Sequence, residues 1–324
     1  MRDQGLENIY GIMGGCIHDV LEKIYNNEAT GADLLPALQK DLDNADFVGV
    51  DFPRDFKGGT TIRDGWIADM TDFCNNFTKL EGGDFVTEEG IILKINDDRY
   101  LIGYIDLIQI IDETTKTVNI YDFKTSTKFK KDDLTHHGRQ LVVYGMAMEQ
   151  AGYKVQNLAW IMLKYVQVTY MGYARANSKN KTQITKVVRR GKLAHELYQT
   201  ATNMMHAAGY GEIDIDFYLQ EFLEKNSLHV LPLNIREQFN VEQYIEYYPF
   251  TAEKQAEAIE YINSRADKFE KLLAEGKEAW KPMDIDKSSV FYCNNLCNYR
   301  NLCPHIKAYN DLQRLQHIED EALF

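Results

Sequence analysis

The sequence has 324 residues, of which 44% are hydrophobic, so it can bury the core of one large domain or two ordinary ones. The formal net charge is −13, from 36 Lys and Arg against 49 Asp and Glu, and on its own this argues against a polyanionic partner. No apolar run reaches the roughly 18 residues of a membrane helix, and no basic-then-apolar leader opens the chain. These features predict a soluble, cytoplasmic protein and argue against a membrane protein.

The N-terminal part has the spacing of helices. Residues 14–25 carry an apolar helical stripe, with His18 expected at the start of the helix. Residues 26–59 are Asp-rich and contain two proline breakers, so they predict short helices and loops. Helical spacing returns over residues 61–77, and the glycine pair at 82–83 ends that segment.

The pattern then changes to the two-residue period of strands. We expect strands at residues 85–95, 100–111 and 117–124. The first two are joined by an Asn-Asp-Asp turn at 96–98, and the last two by a polar Asp-Glu-Thr-Thr-Lys turn. The three segments therefore predict two consecutive hairpins.

Three charged residues fall on the strands of the second hairpin. In the strand 117–124, one face carries Val118, Ile120, Asp122 and Lys124, and the other carries Tyr121 and Phe123. In the preceding strand, Asp106 is expected on an otherwise apolar face with Ile102, Tyr104 and Ile108. Charge on an apolar face is costly unless it is paired or metal-bound, so this cluster needs a physical reason.

A divalent metal would supply that reason. Mg²⁺ prefers oxygen ligands, usually one or two carboxylates with substrate phosphate and water, and Asp106 and Asp122 can provide the carboxylates. Lys124 can orient or deprotonate an attacking water, and His18 can add a ring nitrogen. Each residue alone has a plainer interpretation, such as a turn aspartate or a packed histidine. The three charges in phase favour the metal site.

The rest of the chain alternates helices and strands. A helix at 134–151 carries Gln140 and Tyr144 on one face, because they are four residues apart. Residues 155–173 are rich in strand formers and are expected to extend the sheet. This order predicts a mixed α/β core. Further helices are expected at 193–208, 212–225 and 252–273, a strand at 239–250, and an acidic tail at 317–324.

Residues 175–192 form a basic segment, with seven Lys and Arg and no Asp or Glu. With cations elsewhere, this segment predicts a groove that binds a nucleic-acid backbone despite the overall negative charge. The alternative is a solvated surface hairpin. Three tyrosines could stack on bases, although most of them are expected in the core. The additional cations are Lys128, Lys130, Lys131 and Arg139, and the tyrosines are Tyr165, Tyr170 and Tyr173.

The chain has five cysteines, an odd number that argues against a disulfide framework. Cys293, Cys297 and Cys303 have the spacing C-x3-C-x5-C and precede Pro304. This pattern is close to that of iron–sulfur proteins, in which thiolates hold a 4Fe–4S cluster. A zinc site with His305 as the fourth ligand and simple packing of the thiols are the alternatives.

Several motifs follow one another in a fixed order. They are Gly-x-x-Asp at 103–106, Asp-x-Lys-Thr-Ser at 122–126 and Gln-x-x-x-Tyr at 140–144. Together they resemble the RecB-type branch of the PD-(D/E)XK nucleases. Gly-x-x-His at 15–18, followed by a Leu-Glu pair, resembles the histidine motif of that family, and Val-Thr-Glu at 86–88 resembles its glutamate motif. The resemblance implies a restriction-endonuclease-like core: a mixed sheet flanked by helices, with helical insertions and a C-terminal Cys-rich segment.

The resemblance also implies a metal centre. Asp106 and Asp122 would be ligands of Mg²⁺ or Mn²⁺, and His18 and the backbone carbonyl of Phe123 would complete the set. A cofactor of this kind would serve the hydrolysis of phosphodiester bonds in DNA.

The other matched residues have implied roles beside the metal. Lys124 would be the catalytic lysine and Glu88 a supporting acid, although Glu89 could fill the same position. Gln140 and Tyr144 would contact the DNA or hold the lysine.

The cysteines resemble those of an iron–sulfur subgroup that includes phage and CRISPR-adaptation exonucleases. In that subgroup the fourth thiolate precedes the histidine motif, where this sequence has no cysteine. Cys16 is a candidate substitute, although a small side chain at a helix start is its plainer interpretation. A cluster or its remnant is therefore expected first, zinc second and packed thiols third.

The function expected from these features is metal-dependent exonuclease action on DNA ends, with a preference for single strands, in phage or bacterial recombination, repair or replication. The alternative is a catalytically silent DNA-binding or assembly subunit of the same fold. Expected partners are DNA and recombination or replication proteins, in the bacterial host cytoplasm if phage-encoded. One nuclease domain is expected over residues 1–304, with its core at 84–173, a helical and basic insertion at 174–238 and the Cys segment within 239–304. A helix and acidic tail at 305–324 would follow.

Overall fold

A computed structural model describes residues 7–50, 52–53, 56–57, 60–172, 180–286 and 289–321. The strands are β1 (Phe56–Lys57), β2 (Thr60–Thr61), β3 (Asp84–Lys94), β4 (Tyr100–Asp112), β5 (Thr117–Lys124), β6 (Lys154–Gly172), β7 (Thr182–Arg189) and β8 (Asn240–Tyr248). The α-helices are α1 (Ile9–Tyr25), α2 (Leu34–Val48), α3 (Ile62–Asn75), α4 (Leu134–Gln150), α5 (Leu193–Ala207), α6 (Glu212–Lys225), α7 (Leu233–Arg236), α8 (Ala252–Glu275) and α9 (Pro304–Glu321).

A six-stranded mixed sheet organises these elements, in the order β3-β4-β5-β6-β7, with β8 also paired to β6. The β3–β4 and β4–β5 pairs are antiparallel hairpins, whereas β5 and β6 are parallel and are joined through α4. A parallel pair needs a crossover, and a helix is the usual one. The mixed α/β sheet flanked by helices is therefore confirmed. It also takes in β7 and β8, which lie outside the stretch expected as its core.

The two faces of the sheet are buried under different helices. One face packs with α1, α2 and α3 and includes Tyr121 and Phe123 of β5. The other packs with α4 and α8 and includes Val118 and Ile120. This alternation along β5 is the one that the two-residue period predicts, and it fixes the face on which Asp122 lies.

Two glycines let α4 lie close to the strand and loop beneath it. A Cβ atom on Gly138 would overlap the ring of Tyr248 on β8, and one on Gly145 would lie 2.8 Å from the ring of Phe250. Larger residues at these positions would push the helix outward. The distance between α4 and the sheet is thus set by its contacts with these two rings.

The N-terminal helices differ from the predicted ones. Helix α1 begins at Ile9, so Gly14 and Gly15 lie inside it and His18 lies well past its start. Helix α2 has 15 residues, longer than the short helices expected, because Pro36 lies in its first turn, where proline is tolerated. Asn8 caps α1 by accepting a hydrogen bond from the Gly11 amide. None of the described helices combines the length and apolar character needed to cross a bilayer.

Candidate active site

His18 projects from α1 toward the ends of the central strands. Its Nδ1 lies 3.5 Å from Oδ2 of Asp106, and its ring meets the ring of Phe123 edge-on at 5.8 Å between centroids. Burial lowers the pKa of His18, while the nearby Asp122 carboxylate and the Phe123 backbone oppose this shift. A neutral imidazole with a free ring nitrogen is the form that binds metals.

Glu88 interrupts the pairing of β3 with β4. Thr87 pairs with Leu107 and Glu89 with Ile105, so Glu88 lies opposite Asp106 without joining the ladder. Its φ of +48° is in the left-handed region, which a non-glycine residue occupies at a cost of about 1–3 kcal/mol. Such strain persists where the surrounding structure imposes it, and it is concentrated at functional sites.

Asp106 connects these elements. Its Oδ2 accepts a hydrogen bond of 2.8 Å from the Phe123 amide on β5 and faces His18. The expectation that Asp106 lies on an apolar face with Ile102, Tyr104 and Ile108 is wrong in part. Ile102 and Tyr104 are 71% and 61% exposed.

The cause is a break in the alternation of β4. Ile105 and Ile108 both belong to the core under α4, although they are three positions apart, and Leu107 belongs to the opposite core. The break falls at Asp106, directly opposite Glu88. The irregular stretch therefore leaves Asp106 on the side of Tyr104 and His18, whereas Ile108 lies on the opposite face.

His18, Glu88 and Asp106 form a compact donor set. One ligand atom from each of them lies within 4.8 Å of the others. The pKa of Asp106 is raised by burial, against the lowering effect of the Phe123 amide and Lys124. The pKa of Glu88 is raised by burial and then by the carboxylates of Asp106, Glu22 and Asp19. Crowded carboxylates of this kind are stabilised by a cation among them.

Asp122 and Lys124 lie beside this set on β5. Asp122 is almost completely buried, and Lys124 Nζ lies 2.5 Å from its Oδ2. Burial raises the pKa of Asp122 to about 6, while Lys124 lowers it and Asp106 raises it further. The two-residue spacing expected from the sequence thus brings the amine and the carboxylate into contact.

Helix α4 adds the next two side chains. Gln140 Oε1 accepts a hydrogen bond of 3.2 Å from Lys124 Nζ, and Gln140 Nε2 donates one of 2.8 Å to the Tyr144 hydroxyl. Burial raises the pKa of Tyr144 to about 12. Asp122, Lys124, Gln140 and Tyr144 therefore form one continuous chain of polar contacts, which extends from β5 into α4.

The comparison with family models identifies the superfamily. A model described as the PD-(D/E)XK nuclease superfamily matches residues 3–304. The chain belongs to the PD-(D/E)XK nuclease superfamily. Membership implies metal-dependent nuclease activity with DNA as the substrate and a divalent metal, typically Mg²⁺ or Mn²⁺. Neither the curated proteins nor the solved structures gave a match.

The donor set fits the metal of a PD-(D/E)XK nuclease. Two carboxylates and one imidazole converge, and oxygen donors suit Mg²⁺ and Mn²⁺ while imidazole is better suited to the softer Mn²⁺. Asp122 is absent from this closest set, but its charge acts on His18 and is acted on by Asp106. A fifth group is the Phe123 backbone, which lies between Asp106 and His18.

Two acidic residues near the set were not singled out as site residues from the sequence. Asp19 and Glu22 of α1 both raise the pKa of Glu88, so they face the same space. Glu22 lies one helical turn after His18, and residues four apart share a helix face. That spacing is the signal that could have revealed it.

The three C-terminal cysteines lie in a segment at residues 289–303, called here the cysteine segment. The neighbouring thiols of Cys297 and Cys303 raise the pKa of Cys293, after burial, so the three sulfurs lie near one another. Among the described residues, however, they do not form a set of three within 4.8 Å, and His305 is exposed.

The cysteine segment is joined to the start of α1. Asn8 Nδ2 donates to the Leu296 carbonyl at 3.3 Å, and a guanidinium nitrogen of Arg300 donates to the Glu7 carbonyl at 3.2 Å. Another nitrogen of Arg300 donates to the Cys297 carbonyl at 3.1 Å. The segment therefore packs on the helix that carries His18, at its N-terminal end.

Cys16 has different surroundings. Its thiol bonds to Asp41 of α2 and lies near Cys74 of α3, and burial raises its pKa to about 12. The thiol thus points into the helical core, about two turns along α1 from the end that the cysteine segment contacts.

Several cations expected in a DNA groove are held elsewhere. Arg190 is buried and donates to Asp72, Gln243 and the Leu163 carbonyl. Arg189 pairs with the buried Asp69 of α3. The two ion pairs, Arg189–Asp69 and Arg190–Asp72, tie the end of β7 to α3. For these two arginines the expectation of a solvent-facing groove is wrong.

The other residues expected in the groove differ in their surroundings. Arg139 pairs with Glu257 of α8 and stacks on Tyr261, so it holds two helices together. Tyr170 is buried in the core, and the Tyr165 hydroxyl accepts a hydrogen bond from the Lys128 amide. Lys130 and Lys131 lie in the loop between Lys124 and α4. Tyr173, Arg175 and Lys179 lie outside the described residues.

Proposed function

We propose that the protein is a Mg²⁺- or Mn²⁺-dependent DNA exonuclease of the RecB type, which hydrolyses phosphodiester bonds at DNA ends and prefers single strands. The observation that carries this proposal is the convergence of His18, Glu88 and Asp106 within 4.8 Å, beside the Asp122–Lys124 pair. Its biological setting would be phage or bacterial recombination, repair or replication.

The residues divide into ligands and a catalytic amine. His18, Asp106 and Asp122 would hold the metal, with Glu88 as a supporting acid and the Phe123 carbonyl facing the same space. When bound, the metal would supply charge stabilisation for the phosphoryl oxygens. This assignment accounts for three neighbouring carboxylates, Glu88, Asp106 and Asp122, whose charges would otherwise repel one another.

Lys124 would act on the attacking water. In hydrolysis the water oxygen bonds to phosphorus, the P–O bond to the leaving nucleotide breaks, and the proton that the water gives up to solvent is balanced by one that the leaving oxygen takes from solvent. Lys124 Nζ is held between the Asp122 carboxylate and Gln140 Oε1, so it has a fixed position from which to orient that water. Tyr144 fixes Gln140 in turn, which makes Gln140 and Tyr144 positioning residues.

The cysteine segment would hold a 4Fe–4S cluster. Three neighbouring thiols with the C-x3-C-x5-C spacing before Pro304 support this. A fourth ligand is needed, and among the described residues Cys16 faces the core instead. The contacts of the segment with Glu7 and Asn8 support a fourth ligand from the side of the segment that faces the N-terminal end of α1.

The direct test is cleavage of end-labelled single-stranded DNA with and without Mn²⁺. The wild-type protein is expected to shorten the labelled strand only with metal. Asp122→Ala and Lys124→Ala are expected to reduce the rate by roughly 10²-fold or more, because each removes a group at the reacting phosphate. Lys268→Ala, on the exposed surface of α8, is the matched lysine control and should cleave like the wild type. Metal-dependent cleavage that survives both site substitutions would refute the assignment.

A second measurement separates the enzyme from a silent DNA-binding subunit. Mn²⁺ affinity is measured by calorimetry for the wild type and for Asp106→Ala. An enzyme with the proposed centre loses most of its affinity in the variant. A protein whose weak metal binding is unchanged by Asp106→Ala would be a subunit that keeps the fold without the activity.

A further inference from the structure

An exposed apolar strip begins beside the donor set and runs along the β3–β4 hairpin toward the hairpin turn. It is made of side chains from three successive cross-strand pairs: Gly90 with Tyr104, Ile92 with Ile102, and Lys94 with Tyr100. Ile92, Tyr100, Ile102 and Tyr104 are 65%, 58%, 71% and 61% exposed. Large apolar side chains grouped in this way on a surface usually mark an interaction site.

The strip lies on the same face of the sheet as α1. Its neighbours along the strands, Ile91, Leu93 and Ile105, are buried in the core under α4, and Gly103 faces Tyr144 of that helix. Since alternate residues point to opposite faces, the strip faces away from α4, as α1 does. His18 and Asp106 meet on this side. The strip is thus a continuation of the candidate active site.

The spacing of the strip suits an unstacked nucleic-acid strand. Consecutive rows are two residues apart, or roughly 7 Å along the strands. The first row, with Tyr104, lies the same two residues from Asp106. One strand of a duplex rises about 3.4 Å per nucleotide, so each row has room for roughly one nucleotide of an unstacked strand.

The chemistry of the strip favours bases over phosphates. The one cation in these three rows, Lys94, is paired with Asp97 at 2.9 Å, and Asp19 and Glu22 lie near the inner end. A strand that presented its phosphates here would meet negative charge. Bases have an apolar π face that stacks on aromatic side chains, and the first row presents the Tyr104 ring, which contacts Gly90 with its Cε1 3.5 Å from the position of an added Cβ.

We propose that this strip is a base-stacking platform for single-stranded DNA, on which unpaired bases lie against the hairpin while the backbone leads the scissile phosphate to the metal. The inference rests on the proposed nuclease function and names the form of its substrate. Paired bases in a duplex have no free face to place on the strip, so the platform gives a physical reason for a preference for single strands.

The test uses substitutions in the full-length protein. Tyr104→Ala removes the ring nearest the metal, Tyr104→Trp retains a stacking surface, and Ile102→Ser removes the centre of the strip. Phe217→Ala is the control, because Phe217 is 62% exposed on α6, away from the hairpin. Binding is measured by fluorescence anisotropy with an unpaired oligonucleotide in Ca²⁺, and turnover is measured in Mn²⁺.

The expected result is a loss of affinity confined to the strip. Tyr104→Ala and Ile102→Ser should raise Kd and KM for the oligonucleotide by roughly 5- to 100-fold, the range of one or two stacked bases. Tyr104→Trp should restore most of the affinity, and Phe217→Ala should match the wild type. An oligonucleotide with abasic sites near its end should bind the wild type weakly and should be nearly insensitive to Tyr104→Ala.

Other outcomes would overturn the platform. Unchanged oligonucleotide affinity in Tyr104→Ala and Ile102→Ser would do so, as would equal losses with the normal and abasic strands. If these variants instead convert a wild-type dimer to a monomer in sedimentation, with DNA affinity unchanged, the strip binds a second copy of the chain. Circular dichroism and urea unfolding establish that each variant is folded.

A small diester separates this proposal from the proposed function. Bis(p-nitrophenyl) phosphate has no bases to stack, so its Mn²⁺-dependent hydrolysis by the wild type reports on the metal chemistry alone. Hydrolysis of the diester together with unchanged DNA affinity in the strip variants would refute the stacking platform but support the nuclease function. If the wild type hydrolyses neither substrate, the proposed function fails, and anisotropy alone decides whether the strip binds bases.

Discussion

The donor set of His18, Glu88 and Asp106 and the cysteine segment are both proposed to hold inorganic groups, but they are built differently. The first lies on adjoining strands and a packed helix, and its side chains are linked by short contacts such as the 2.8 Å bond from Phe123 to Asp106. The second lies between α8 and α9, its thiols are half-buried, and its contacts to the rest of the chain include the Asn8 side chain and the Glu7 carbonyl. The ligands of the first are fixed by the fold.

The two sites differ in whether their geometry exists before the ligand binds. Side chains held on strands keep their geometry without a metal, because the sheet ladder orients them. A segment with little regular structure gains most of its order from the group that it binds, so binding and local folding are coupled. Loss of the ligand should therefore affect activity at the first site and stability at the second.

The largest expected effect is at Asp106. Asp106→Asn removes the charge that faces His18 and Glu88, so Mn²⁺ affinity should fall and DNA cleavage should decrease by roughly 10²–10³-fold. Calorimetry and a cleavage assay measure the two losses. The iron or zinc content of the preparation should not change, since the cysteine segment lies elsewhere. Asp98→Asn, in the exposed hairpin turn, is the matched control. A variant with wild-type Mn²⁺ affinity would show that Asp106 is not a ligand.

The reverse experiment substitutes the three C-terminal cysteines with serine. Loss of Cys293, Cys297 and Cys303 should abolish the bound iron and sulfide and lower the free energy of unfolding by about 2–4 kcal/mol. Mn²⁺ affinity at the central site should be retained. Elemental analysis of anaerobically purified protein and urea unfolding measure these effects. If neither metal content nor stability changes, the thiols are only packed, and the contrast between the two regions disappears.

A smaller effect concerns the charge of Asp122. Its folded-state pKa of about 6 exceeds the ordinary value of about 3.9, so folding favours the protonated form. The stability that this residue contributes is present below pH 4 and is lost as the pH rises through 6. Asp122→Asn avoids that loss. In EDTA at pH 8 its free energy of unfolding should exceed that of the wild type by about 1–3 kcal/mol, although it is expected to be inactive.

The free energies of unfolding of the wild type and Asp122→Asn should converge at low pH. Near pH 4, where Asp122 is mostly protonated in the wild type, the two proteins should have nearly the same free energy of unfolding. A difference that does not depend on pH between 4 and 8 would mean that burial of this charge is not what destabilises the wild type. Asp98→Asn again serves as the control, because an exposed carboxylate should show no such gain.

The smallest expected effect separates backbone strain from chemistry at Glu88. Glu88→Gly and Glu88→Ala both remove the carboxylate, so both should weaken Mn²⁺ binding to the same extent. Only glycine adopts a φ of +48° without cost, so Glu88→Gly should be the more stable of the two by about 1 kcal/mol. Urea unfolding of the two variants measures this difference. Equal stability would mean that the left-handed conformation is not retained in the variants.

Part of the site could be read directly from the sequence. The two-residue period of β5 correctly predicts that Tyr121 and Phe123 lie on one face and Val118 and Ile120 on the other, because a half-buried strand fixes its register through its apolar side chains. The same reasoning fails one strand away at Asp106. There the irregularity opposite Glu88 changes the alternation, and a glutamate gives no signal of a left-handed residue.

Long-range pairing explains the other differences. Arg190 belongs to a basic run in the sequence, yet its partner Asp72 lies 118 positions away, on α3. No local pattern distinguishes a cation that will be buried in an ion pair from one that will face DNA. The same is true of Arg139, whose partner Glu257 is likewise 118 positions away. Local periodicity identified the strands and helices, but which charges neutralise one another depends on how those elements pack.

The close approach of α4 to β8 makes the geometry of the proposed active site adjustable from a position outside it. Gly138 rests against Tyr248 two positions before Gln140, so any side chain added there would act as a spacer beneath the helix. Such a spacer would carry Gln140 outward and lengthen its 3.2 Å bond to Lys124, leaving every ligand unchanged. A single methyl group at this position, which is outside the candidate ligands, is thus expected to change the rate of the proposed hydrolysis.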